Sequence, residues 1–104
     1  MQAKTMEIIR EELSKRGIGV ERILLFGSRA RGDYREDSDW DLFVVIDTSL
    51  SFSEKWDIID TIKVRLAKAG IPNDIILKSK EEVEEDKQDV GKLTYYVLKE
   101  GIEV

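Results

Sequence analysis

The chain has 104 residues, 41% of them hydrophobic and 38% charged, with one proline and a formal net charge of −5. That composition describes a single domain over residues 1-104, which can bury about two-thirds of the surface its unfolded form exposes. It contains no cysteine and no histidine, which excludes disulfides, thiolate nucleophiles, imidazole bases and Cys/His metal centres; any metal here is a hard cation held by oxygen.

Met6, Ile9 and Leu13 recur at helical spacing and Gly17 stops the pattern, so the sequence predicts a first helix from about Ala3 to Arg16. This segment is charged throughout, unlike a signal sequence, and no apolar run is long enough to span a membrane. A cytoplasmic protein without membrane contact is expected. Ile23 to Phe26 reads as a short buried strand that ends at Gly27. Four of the seven arginines, Arg22, Arg29, Arg31 and Arg35, then fall within fourteen residues. A local anion site and a solvated arginine-rich loop both fit them, whereas direct binding along a nucleic-acid backbone does not fit the acidic net charge.

The polar stretch Ser28 to Ser38 has room for one helical turn, and Asp41 to Asp47 reads as a second strand buried on both faces. Ser51 with Glu54 forms a capping-box pattern ahead of an apolar stripe of Phe52, Trp56, Ile59, Ile62 and Leu66, a long core-facing helix that ends near Gly70. Pro72 and Asn73 turn the chain into a third strand, Asp74 to Lys78. Ser79 with Glu82 repeats the capping pattern before the acidic run Glu81 to Asp86, whose turn is expected to be mostly solvated. Val90, Leu93, Thr94 and Val97 mark a last helix, closed by Gly101. The fold class is α/β, a short mixed sheet with flanking helices and no linker or repeat.

Gly27-Ser28-Arg29-Ala30-Arg31-Gly32 follows the first strand. A glycine there permits close backbone approach, and the N–H groups of a following helical turn attract anions. A plain glycine turn with exposed arginines fits the same six residues. The spacing resembles the start of a P-loop, but Asp33 and Tyr34 stand where its lysine and metal-binding hydroxyl belong. Eleven residues after Ser28 comes Asp39-Trp40-Asp41. In a strand, side chains two apart share a face, and paired carboxylates favour a divalent cation between them; a solvated strand entrance is the alternative. Asp37, Asp39 and Asp41 do not make an EF-hand loop, because Leu42 replaces its glycine and Thr48 its glutamate.

Gly-Ser, ten intervening residues and Asp-x-Asp together resemble the signature of the DNA polymerase β-like nucleotidyltransferase superfamily. The fuller string GSRARGDYREDSDWDLFVV is similar to the minimal nucleotidyltransferases (MNT family), which include MntA-like antitoxins of HEPN/MNT toxin–antitoxin pairs. That resemblance implies a small nucleotidyltransferase fold and a third carboxylate on a later strand, for which Asp74 is the matching position. It implies that Asp39, Asp41 and Asp74 are catalytic and bind two Mg2+ ions, and that Gly27, Ser28, Arg29 and Arg31 bind the nucleotide. ATP is then the substrate, and AMP passes to an acceptor hydroxyl on a helical HEPN-type partner. A non-catalytic antitoxin that acts by binding alone and a transferase for small molecules are the alternatives.

Overall fold

The apolar run Trp40–Ile46 becomes an inside strand of a four-stranded sheet and, being covered on both faces, is buried over nearly its whole length. The computed structural model describes residues 2–104. Its elements are α1 (Gln2–Lys15), β1 (Val20–Phe26), α2 (Gly27–Arg31), β2 (Trp40–Ile46), α3 (Phe52–Lys68), β3 (Asn73–Ser79), α4 (Lys80–Asp86), α5 (Leu93–Glu100) and β4 (Ile102–Glu103). The strand order is β3-β2-β1-β4. β1 runs antiparallel to both β2 and β4, and β2 runs parallel to β3, so the sheet is mixed, as expected.

Each face has its own core. Ile23, Leu25, Leu42, Val44, Ile75 and Leu77 pack under α1 and α3, against Ile9, Leu13, Ile59, Ile62 and Leu66. Leu24, Phe26, Phe43 and Val45 point the other way and meet Val83 of α4 and Val97 of α5. Alternation along β2 and β3 therefore puts Asp41 and Asp74 on the face of the shorter helices, α4 and α5.

Both predicted capping boxes form: Ser51 accepts from the Glu54 N–H at 3.1 Å, and Ser79 from the Glu82 N–H at 3.1 Å. The acidic run is a regular helix anchored by buried Val83. Three expectations need correction. Periodicity puts Phe52 and Trp56 in the core stripe, yet they are 79% and 46% exposed and pack edge to face on each other. The buried stripe of α3 is Ile58, Ile59, Ile62 and Leu66; at 3.6 residues per turn Trp56 falls about a quarter turn off its centre, and Phe52 lies in the first turn. Val90 is 76% exposed and precedes α5, which starts at Leu93. The strand β4 carries no apolar alternation of its own and has no counterpart in the predicted elements; it exists because Leu25 and Leu24 pair with Ile102 and Glu103.

Candidate active site

Three elements meet at one end of the sheet. β1 finishes there at Phe26, which is in register with Asp41 at the start of β2, and Asp41 is in register with Asp74 at the start of β3. Gly27 follows Phe26 with φ at +72°, a left-handed conformation that glycine adopts without penalty. Its missing side chain matters as much as its backbone. A Cβ built on Gly27 would run into the carboxylate of Asp41, which would have to turn aside to admit it. The first turn of α2 receives no side-chain cap from Phe26, so its N–H groups lack a capping partner beside half-buried Ser28.

Asp41 is the electrostatic centre of this arrangement. Burial, then the neighbouring charges of Asp74 and Asp39, push its carboxyl above the ordinary aspartate value, while Arg31 partly opposes them. The carboxylate thus sits in a negative field that its surroundings do not neutralise. A hard divalent cation suits such a donor set of oxygens. Asp39 lies just before β2 and is exposed; Asp74 is also exposed, with its Oδ1 3.7 Å from Lys63 Nζ on α3. Among the described residues no three carboxylates already converge as ligands around one point. The structure brings Asp39, Asp41 and Asp74 into one electrostatic neighbourhood, with Asp39 and Asp74 exposed to solvent.

The two arginines of the turn separate. Arg31 is exposed, close enough to act on Asp41, and the Tyr96 hydroxyl and Asp33 favour its charged form. Arg29 is turned toward its own loop: Nε donates to the Ser38 carbonyl at 3.1 Å and one terminal nitrogen donates to the Glu36 carbonyl at 3.0 Å. The motif groups Arg29 with the phosphate ligands, and the structure instead occupies its guanidinium with backbone. Lys63 and Tyr96 escape sequence reasoning, because they reach Asp74 and Arg31 only through the packing of α3 and α5 and carry no local signal. Clefts of about 320 Å3, lined by Arg16, Ile18, Ser49 and Asp57 among others, and about 420 Å3, lined by Arg10, Ser14 and Val20 among others, lie at the opposite end of β1 from Gly27.

Comparison with known proteins identifies the family and the fold. Residues 6–99 match the nucleotidyltransferase domain family. Two proteins of Methanocaldococcus jannaschii, each named "Putative protein adenylyltransferase", align with the chain. One is 39% identical over 62 residues, 60% of this chain and 57% of its own length; the other is 45% identical over 40 residues, 38% of this chain and 40% of its own length. The alignments thus span roughly half the length of these relatives. Among solved structures, a putative minimal nucleotidyltransferase superposes with a TM-score of 0.59 at 26% identity, covering 99% of this chain and 91% of that one. A variant of the toxin–antitoxin pair MntA-HpeT shares the fold, with a TM-score of 0.58 at 17% identity over 99% of this chain and 71% of that one. With the Gly27 turn, the Asp41 strand and most of the chain matched together, this protein belongs to the nucleotidyltransferase domain family.

Proposed function

We propose that this chain transfers AMP from ATP to a hydroxyl group of a partner protein, with Asp39, Asp41 and Asp74 as its catalytic and metal-binding carboxylates. The observation that carries the reading is the Asp41 carboxyl, packed against Gly27 with its proton affinity raised by burial, Asp74 and Asp39. Magnesium bound by these carboxylates would neutralise the triphosphate and the departing pyrophosphate. Ser28 and the uncapped N–H groups after Gly27 hold the terminal phosphates, and Arg31 balances charge that accumulates on the leaving group. The acceptor oxygen bonds to the α-phosphorus, the bond from that phosphorus to the bridging oxygen breaks, and Asp74 takes the hydroxyl proton. The names of the Methanocaldococcus jannaschii relatives support protein as the acceptor class. The helical HEPN-type partner follows from the resemblance of the GSRARG…DWD string.

Incubation of the chain and its partner with α-labelled ATP and magnesium tests this. Label on the partner that is lost in Asp39→Asn and Asp41→Asn, and strongly reduced in Gly27→Ala, is the expected result. Gly27→Ala adds a Cβ at the Asp41 carboxylate and about 1–2 kcal/mol of left-handed strain, so a folded variant with much weaker transfer is expected. A tight complex that forms without label transfer supports inhibition by binding alone. Label transfer unchanged in Asp41→Asn overturns the assignment of the carboxylates.

A further inference from the structure

Arg29 makes contacts that a phosphate ligand does not need. Besides its bonds to the Ser38 and Glu36 carbonyls, a terminal nitrogen reaches the Arg35 carbonyl at 3.4 Å. Its guanidinium carbon also lies 4.7 Å from the centre of the Tyr34 ring and 4.4 Å from that of Trp40. These residues bracket the connection between α2 and β2, which contains neither helix nor strand from 33 to 39. Within that connection, the local bonds join Arg35 and Ser38: the Arg35 N–H donates to Ser38 Oγ at 2.8 Å, and the Ser38 N–H to the Arg35 carbonyl at 3.1 Å.

Asp39 sits between the two points that Arg29 grips. On one side is Ser38, whose carbonyl accepts from Nε; on the other is Trp40, whose ring the guanidinium contacts. Trp40 is buried and its backbone N–H donates to the Pro72 carbonyl at 2.9 Å, next to the strand that carries Asp74. The connection is thereby tied to the rigid part of the molecule on both flanks of Asp39. Only a planar fork with several donors can serve three carbonyls while lying against aromatic rings; a lysine ammonium has the charge but not the shape.

We propose that Arg29 is a positioning residue: by clamping the Tyr34–Trp40 connection it fixes the backbone that carries Asp39 beside Asp41, where the two carboxylates would share a divalent cation, and it does not itself contact the nucleotide. This rests on the reading of the site given above. It predicts that Arg29 acts through Asp39 and through geometry rather than charge.

The test uses the full chain with Trp56→Phe, which leaves Trp40 as the only tryptophan. In the ligand-free protein, Arg29→Gln should shift Trp40 emission and speed amide exchange at residues 35–39, with a cooperative melt retained. Calorimetric titration with Mn2+ in the presence of ATP should then show a midpoint about tenfold higher, as for other residues that support metal ligands. Arg29→Lys should resemble Arg29→Gln, and Arg29→Gln added to Asp39→Asn should cost nothing beyond Asp39→Asn alone. A lysine variant with wild-type affinity, or losses that add in the double variant, would mean that Arg29 meets the phosphates directly and would overturn the proposal. Unchanged exchange at 35–39 overturns the clamp while the site reading stands. A wild-type chain that binds neither Mn2+ nor ATP overturns the site reading and the cation role of Arg29 with it, whatever the exchange shows.

Discussion

Asp41 shows how a functional residue can oppose the stability of its own fold. Its carboxyl is shifted above the ordinary value of 3.8 by burial, Asp74 and Asp39, so it ionises less readily in the folded state than in the unfolded chain. For a carboxyl raised in this way, the unfolded chain ionises first as pH increases. Stability falls from the ordinary aspartate value up through the folded one and stays lower above it. Asp41→Asn should therefore raise the melting temperature at pH 7 in the absence of divalent cation, and the gain should vanish as pH drops below the ordinary value. Thermal melts of both proteins across pH 3 to 8 check this; a destabilised asparagine variant at pH 7 would show that Asp41 is already compensated. The same substitution is expected to abolish transfer, so stability and activity move in opposite directions.

At the scale of elements, α1 and α3 are joined by a charged contact as well as by leucines and isoleucines. Glu12 is buried on α1, and Arg65 of α3 donates to its Oε1 at 3.0 Å, with a second nitrogen 3.1 Å from Glu11. Burial alone would raise the Glu12 carboxyl, but hydrogen bonds from Arg65 and Lys15 outweigh it and hold it below 4.5. A depressed carboxyl stabilises the fold above its unfolded value and loses that contribution as pH falls through the folded one. Replacing Arg65 with Met leaves Glu12 buried beside only its lysine and a more distant Arg16 Nε at 3.8 Å. We expect a loss of stability at pH 7 that shrinks toward pH 3, measured by urea denaturation at each pH. Equal losses at both pH values would assign the effect to the lost aliphatic packing of Arg65 instead.

Across the whole molecule the two faces of the sheet differ in cover and in duty. α1 and α3 seal one face with long helices, while the seven residues of α4 and eight of α5 cover the face that bears Asp41 and Asp74. Phe43 is the largest side chain fully buried on that second face, between Val45, Val83 and Val97. Phe43→Ala should cost about 3–5 kcal/mol through lost burial and the cavity left behind. Phe52→Ser removes an aromatic ring of similar size that is mostly in solvent, and should change stability by no more than about 0.5 kcal/mol. Chemical denaturation of the two variants decides whether the apolar count or the burial pattern governs this fold.

Several parts of the protein are legible in the amino-acid sequence by itself, because local rules determine them. Two capping boxes place the starts of α3 and α4, and the continuous apolar run of β2 announces a strand buried on both faces, since hydrogen-bond chemistry and periodicity act over a few residues. The Gly27-Ser28 turn and the Asp39-Trp40-Asp41 step are visible for the same reason. Packing decided the rest. Whether Phe52 and Trp56 belong to the core depends on where the centre of the α3 stripe meets the sheet, and β4 forms only because the edge of β1 offers it partners. Lys63 reaches Asp74, Tyr96 reaches Arg31, and Arg29 of α2 meets the Trp40 ring of β2 by contacts between elements. No spacing along the chain encodes those approaches, since they arise when separate helices and strands exclude water against one sheet.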